Sequence, residues 1–242
     1  MQEKKSKFIN CKINRREDVT KDLWKIWLSP EELFTFEAGQ YCTVGVDGLE
    51  RPYSIASSPK ESLIELFIEL VPPPDGKLTP ILHNLKPGSS VTIRRKAKGL
   101  FKYKEGFENH IMVSTVTGVA PFVSMIREGE VLDDPNRKVW VYEGASFINE
   151  FAYDKELELH SKKNSNLFFT PTCSRPNEPE NNGWKGELGR VNNIFTSVFD
   201  EIPDANKENT ILYACGHPEM VTELSKKYSD KLSFIEEKFW KP

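Results

Sequence analysis

The chain has 242 residues, of which 38% are hydrophobic, 29% charged and 11% aromatic, and its formal net charge is −3. This composition suits a folded chain of one large or two small domains and excludes disorder, collagen and coiled coil, while a charge so near neutral gives no ground for nucleic-acid binding. The longest uncharged stretch, residues 111–126, contains Gly118 and Pro121 and falls short of the ~20 apolar residues a spanning helix needs, so no membrane association is expected.

Residues 1–7 are charged and run into Phe8-Ile9-Asn10-Cys11 rather than into an apolar stretch, so no secretory leader is expected and a cytoplasmic protein is. Up to Lys104 the text reads as short strands over 8–14, 23–28, 41–46, 53–56, 63–71 and 90–95, punctuated by Ala38-Gly39, Asp47-Gly48, Pro72-Pro73-Pro74-Asp75-Gly76 and Lys86-Pro87-Gly88. With one short helix over 79–84, this pattern predicts a small antiparallel barrel.

After Gly106 strands alternate with helices. Strands are expected over 110–114, 138–142, 167–170, 210–215 and 232–236, and helices from about 121 and over 150–160, 191–199 and 218–228. Such alternation predicts a doubly wound parallel sheet, with ligands beyond the carboxyl ends of its strands. Residues 171–184, rich in Pro, Asn and Glu, read as an exposed loop. Charge divides unevenly: residues 1–105 carry +4 and the remainder −7. The first half is therefore the better face for an acidic partner.

Cys11, Cys42, Cys173 and Cys215 form no C-x-x-C pair, and His83, His110, His160 and His217 lack ligand spacing, so neither a disulfide framework nor a metal site is expected. Four other motifs carry chemistry. Arg51-Pro52-Tyr53-Ser54-Ile55-Ala56-Ser57-Ser58-Pro59 brings a cation, an aromatic ring and a hydroxyl together; alternation puts Arg51 and Tyr53 on one face and Ser54 on the other, unless the strand bends at Pro52. Alone, that text fits a barrel strand with a surface arginine equally well. Thr115-Val116-Thr117-Gly118-Val119-Ala120-Pro121-Phe122 lies at a strand-to-helix turn, and Tyr213-Ala214-Cys215-Gly216-His217-Pro218-Glu219-Met220-Val221 at another strand end. The tail reads Ile235-Glu236-Glu237-Lys238-Phe239-Trp240-Lys241-Pro242.

With Gly39-Gln40-Tyr41 and Asp75-Gly76-Lys77-Leu78-Thr79, these motifs resemble the ferredoxin-NADP reductase family, bacterial type, along nearly the whole chain. The resemblance implies an FAD-binding antiparallel β-barrel over 1–104 and an NADP-binding, doubly wound α/β domain over 105–242. It implies that Arg51, beside Pro52, pairs with the FAD pyrophosphate, that Tyr53 packs on the flavin ring and that Ser54 hydrogen-bonds near flavin N5. Phe67, Ile68 and Glu69 match the strand beside the adenosine half, and Gly76, Lys77, Leu78 and Thr79 lead into a helix whose first amides bind phosphate. Phe239 matches the aromatic covering the flavin, Trp240 the one stacking on adenine, and Glu237 an active-site carboxylate.

Toward the dinucleotide, Thr115, Thr117, Gly118 and Pro121 are similar to the family's G-T-G-I-A-P-F motif, with Val116 in place of its first glycine, and Thr117 is counted toward FAD as well. Cys215, Gly216 and Met220 match C-G-x-P-x-M, in which the cysteine touches the nicotinamide, and Ser174, Arg175 and Arg190 match residues holding a 2′-phosphate, which favours NADP over NAD.

The implied activity is FAD-dependent passage of electrons between NADPH and a one-electron carrier, ferredoxin or flavodoxin, by hydride transfer at flavin N5, with Ser54, Cys215 and Glu237 catalytic and the protein a monomer. The same two domains also serve as the reductase component of an oxygenase or as a free-flavin reductase. A non-catalytic FAD-binding electron-transfer subunit is a further alternative, encouraged by Val116 alone. Arg94-Arg95-Lys96 and Lys98 are either a carrier dock or a solvated strand edge.

Overall fold

The computed structural model describes residues 6–199, 202 and 204–239. Alternating apolar residues fold the first part into an antiparallel sheet of β1 (Phe8–Asp18), β2 (Leu23–Pro30), β3 (Tyr41–Val46), β4 (Leu49–Ser54), β5 (Ile64–Glu69) and β6 (Ser90–Arg94), in the order β4-β3-β6-β1-β2-β5. Along β1 the inward positions Ile9, Cys11 and Ile13 are completely enclosed, against Trp24, Ile26, Val44 and Ile93. The two outer strands meet where Ile55 bridges Leu66 and the Ala56 amide donates to the Glu65 carbonyl at 2.9 Å, so the sheet nearly closes into a barrel.

Helix α1 (Thr79–Asn84) carries Pro80 in its first turn, where a missing N–H costs nothing. Its Thr79 hydroxyl both accepts from the Val71 amide and donates to the Val71 carbonyl, each at 3.0 Å, which cinches the proline-rich loop at its base.

The second sheet is parallel throughout: β7 (Asn109–Thr115), β8 (Lys138–Ala145), β9 (Leu167–Cys173), β10 (Glu187–Leu188), β11 (Thr210–Gly216) and β12 (Ser233–Lys238), in the order β10-β9-β8-β7-β11-β12. Successive residues of β7 serve opposite faces. Met112 packs with Val123 of α2 (Ala120–Glu128) and Leu157 of α3 (Asp154–Lys163), while Ile111 and Val113 pack with Phe195 of α4 (Val191–Val198) and Leu224 of α5 (Pro218–Tyr228). Burial on both faces explains why Ile111, Met112 and Val113 are apolar in succession rather than alternating. Among the described residues no helix is long and apolar enough to cross a membrane.

The structure adds the short β10, which no expected strand covers, extends β1 to Asp18, and departs from the sequence expectation in three further places. The strand expected over 53–56 is β4, which begins at Leu49 and ends at Ser54; Pro52 is accommodated because β4 is the outermost strand, paired only with β3. The loop expected over 171–184 begins as strand, since Pro171, Thr172 and Cys173 continue β9 alongside Glu143, Gly144 and Ala145 before a single 3-10 turn at Pro179–Asn181. Residues 148–150 form their own 3-10 turn, so α3 starts only at Asp154.

One core runs through both parts: Leu23, Ala56, Phe67 and Phe101 from the barrel side share a cluster with Met112, Val123, Tyr153 and Tyr213. At its edge lies a polar knot. Arg127 of α2 donates to Glu65 of β5 at 2.6 Å, to the Ala56 carbonyl at 3.2 Å and, bidentate, to Glu156 of α3 at 2.6 and 2.8 Å. The second Glu65 oxygen accepts from the Tyr153 hydroxyl at 2.8 Å. Ser124 donates to the Ser57 carbonyl at 2.7 Å, and Ser58 to Glu128 at 2.6 Å, along the same seam.

Glu143 of β8 is the opposite case, fully enclosed with neither carboxylate oxygen hydrogen-bonded. Burial, with the nearby negative charge of Asp154 adding to it, pushes its carboxyl well above the usual range, so the folded chain holds it protonated. The unfolded chain releases that proton above the ordinary carboxylate pKa while the folded chain keeps it, so stability falls as pH rises, by up to ~1.4 kcal/mol per pH unit.

Two outcomes are expected. Glu143→Gln should melt higher than wild type, by a margin that widens as pH rises above the ordinary carboxylate pKa; a margin independent of pH would show that Glu143 is not a neutral acid in the fold. Arg127→Ala should lower the unfolding free energy by about 3 kcal/mol in urea titrations, because it leaves Glu65 with an uncompensated buried charge.

Candidate functional site

Two cavities open at the carboxyl ends of the parallel strands and along the barrel wall. The barrel-side cavity, about 500 Å³, is bounded by Arg51, Pro52, Tyr53 and Ser54 of β4, Phe67, Ile68 and Glu69 of β5, and Gly76, Lys77, Leu78 and Thr79 at the start of α1. The cavity beside it, about 520 Å³, is bounded by Thr115 and Thr117 after β7, Ser174 and Arg175 after β9, Arg190 at the start of α4, and Gly216 and Met220 at β11 and α5. Thr117, Glu69 and Phe239 line both, so the two cavities share a wall. The motifs at 51–54, 76–79, 115–117 and 174–175 thus converge although they are far apart in the chain.

Because β4 stops at Ser54, strand alternation no longer applies there, and Ser54 lines the same cavity as Arg51 and Tyr53. Its hydroxyl, buried, donates to Glu237 of β12 at 3.3 Å. Burial pushes the Glu237 carboxyl up to about 7, and the Ser54 hydrogen bond works against that rise. Arg51 is exposed and, among the described residues, donates only to the neighbouring Glu50 carbonyl, at 2.7 Å. The Tyr53 hydroxyl is enclosed without a partner, and burial raises its pKa. A free guanidinium, an aromatic ring and an orphaned hydroxyl in one cavity fit a flat heterocycle carrying a pyrophosphate.

On the other side, the Arg175 guanidinium lies 5.2 Å over the Phe147 ring, and Arg190 stands 3.9 Å from Glu219, with both members of that pair largely exposed. Such a pair is worth little and leaves Arg190 available to an anion. The Thr115 hydroxyl accepts from the His217 amide at 2.8 Å, tying the end of β7 to the start of α5. A β-carbon on Gly118 would collide with the Cys215 carbonyl, and one on Gly216 with the Thr115 hydroxyl, so these glycines let two strand ends interlock.

That interlocking corrects part of the sequence expectation. Gly118, Pro121 and Cys215 line neither cavity: Gly118 backs onto Cys215, Pro121 is enclosed in the first turn of α2, and Cys215 is 0% exposed. Burial, reinforced by the nearby Glu237, pushes the Cys215 thiol well above its usual value. Trp240 lies outside the described residues. The suggested carrier dock is also reduced, because Arg94 is bound to Glu50 at 2.5 Å and Arg95, bidentate, to Glu32 at 2.6 and 2.8 Å.

Sequence reasoning missed Glu150, His217 and Glu219 in one cavity, and Gly99, Leu100, Phe101 and Ile235 in the other. His217 and Glu219 lay within the 213–221 motif without being singled out, and Gly99 takes a φ of +108° that its being glycine allows. Glu69, on the shared wall, has its carboxyl raised by burial and then by Glu150 and Asp22.

The sequence matches the family model of the oxidoreductase FAD-binding domain over residues 10–103 and that of the oxidoreductase NAD-binding domain over residues 112–226. A ferredoxin–NADP reductase of Pseudomonas aeruginosa is 33% identical over 205 residues, 78% of this chain and 77% of that protein. A flavodoxin/ferredoxin–NADP reductase of Escherichia coli (strain K12) is 29% identical over 228 residues, 89% of this chain and 88% of that protein. Among solved structures, a ferredoxin NADP+ reductase from Neisseria gonorrhoeae with bound FAD and NADP has the same fold, with a TM-score of 0.82 over 98% of this chain and 100% of that one, at 23% identity. Barrel, parallel sheet, paired cavities and these relatives agree: the chain belongs to the ferredoxin–NADP reductase family and is an oxidoreductase built to bind FAD and a nicotinamide dinucleotide.

Proposed function

We propose that the chain passes electrons between NADPH and a one-electron carrier, ferredoxin or flavodoxin, with FAD in the barrel-side cavity and NADPH in the cavity beside it. The observation that carries this reading is the wall the two cavities share at Thr117, Glu69 and Phe239. Ligands filling both cavities meet there. FAD, when bound, supplies the conversion that side chains lack: hydride taken from the nicotinamide at N5 and electrons released singly.

The chain's own residues bind, orient and hold a proton. Arg51 answers the pyrophosphate of FAD, and the Tyr53 ring packs on its flat heterocycle, at the same time offering its orphaned hydroxyl a polar partner. The Leu78-Thr79 turn presents backbone amides to the other end. Ser174, Arg175 and Arg190 all line the second cavity and answer the 2′-phosphate that distinguishes NADP from NAD. Glu237, titrating at about 7, holds a proton that the Ser54 hydroxyl can follow, since that hydroxyl already points at the Glu237 Oε1 atom. Cys215 acts from behind Gly216, as a positioning residue whose bulk sets where the floor of the junction lies.

NADPH should bleach the yellow FAD-loaded protein anaerobically, and reduced protein should then reduce ferredoxin or flavodoxin in stopped flow. Failure to bleach with either NADPH or NADH would overturn the reading. Faster reduction of free flavin than of either carrier would assign the chain to the flavin-reductase alternative.

Replacing Arg175 and Arg190 by Ala should raise the KM for NADPH about tenfold or more and leave NADH nearly untouched, because a charge-assisted hydrogen bond is worth roughly 1.5–3 kcal/mol. Equal losses with both dinucleotides would place the arginines elsewhere than on the 2′-phosphate. For Glu237, a proton-requiring step should slow as pH rises through about 7, where its carboxyl loses the proton. In Glu237→Gln that break should vanish from the pH profile of turnover, and a break that persisted would belong to another group.

A further inference from the structure

Val116 occupies a backbone conformation that glycine takes freely and a β-branched residue avoids, at φ +42°. The other non-glycine residues at positive φ among those described are Asp47 and Asp204, and aspartate tolerates this region. Val116 opens the 3-10 turn Val116–Val119 at the carboxyl end of β7. Its half-buried side chain packs against the small cluster of Ala145, Phe151 and Cys173 and lines the dinucleotide cavity.

Space and backbone angle therefore disagree at this position. Gly118, two residues on, has no room for a β-carbon, whereas position 116 has room for an isopropyl group in a conformation that suits glycine. Glycine there would hold the same backbone angle without strain. What valine adds is bulk at the cavity wall. A diphosphate settles on a strand-to-helix turn by approaching bare backbone amides, and a branched side chain on that turn holds it away.

We propose that Val116 determines the fit of the dinucleotide: its isopropyl group keeps the diphosphate of NADP or NAD off the 116–119 turn and so loosens binding at this cavity. The proposal rests on the assignment of that cavity to a nicotinamide dinucleotide. It concerns the part that NADP and NAD have in common, whereas Arg175 and Arg190 read the 2′-phosphate alone.

Two variants separate bulk from strain. Val116→Ala trims the side chain but keeps the disfavoured angle, and Val116→Gly removes both. The FAD-loaded protein and both variants, checked for FAD content, are titrated calorimetrically with NADP+, with NAD+, and with adenosine 2′-monophosphate, which lacks the diphosphate. The dissociation constants of NADP+ and NAD+ should fall about fivefold or more in both variants, the lower end of what an overcrowded contact costs, while that of adenosine 2′-monophosphate stays constant. Unchanged or weaker dinucleotide binding in the variants would overturn the proposal. So would tightening in Val116→Gly alone, which assigns the effect to backbone strain, or a parallel change for adenosine 2′-monophosphate, which assigns it to the fold at large. Absence of NADP+ and NAD+ binding in all three proteins would remove the dinucleotide assignment itself, and this proposal with it.

Discussion

The guanidinium of Arg127 joins the two sheets, and the cleft between them depends on that joint. It touches β5 through Glu65, the segment after β4 through the Ala56 carbonyl, and α3 through Glu156. A buried ion pair adds little net stability because desolvation offsets the attraction, yet its directional bonds tolerate few alternatives. Here those bonds hold β5 and the segment after β4 to α2 and α3, and between the same two sheets Ser54 meets Glu237 at 3.3 Å. Chemistry that loses on the order of a hundredfold for a 1 Å error needs such a constraint.

Charge in the cleft follows the same layout. Cations line both cavities, Arg51, Lys77 and Lys238 in one and Arg175 with Arg190 in the other, while the shared wall holds a threonine, a phenylalanine and a carboxyl whose ionisation burial resists. Glu237 fits this pattern as an acid close to neutral at the junction, able to change charge at little cost.

Much of this was legible in the chain itself. The alternation in β1 and β3, the consecutive Ile111, Met112 and Val113 of β7, and the Gly and Pro punctuation specify both sheets locally, and α1 and α5 lie where their flanking prolines and polar residues place them. The cavity-lining motifs were legible because they sit at strand ends, where side chains face ligand rather than one another. Glu65 and Arg127 gave no sign, since a charged residue in a strand or helix reads as solvated until its partner, 62 positions away, is seen beside it. Glu143 was hidden for the same reason, in a strand whose text gives no hint that a carboxyl there is sealed from water. Cys215 shows the converse: its motif was plain, but the interlocked glycines around it, which only the folded backbone reveals, place it behind the cavity wall.

The double hydrogen bond between Thr79 and Val71 closes the proline-rich segment where it leaves and rejoins the barrel. Closing a loop costs entropy that grows only slowly with its length, so residues added at the free tip of a loop fixed at its neck cost little. The Pro72-Pro73-Pro74 run is no free tip, because the Gly76 amide donates to the Pro72 carbonyl at 3.0 Å and Asp75, Gly76 and Lys77 line the cavity; the neck makes this segment a fixed piece of the cavity wall, whose length shapes the site.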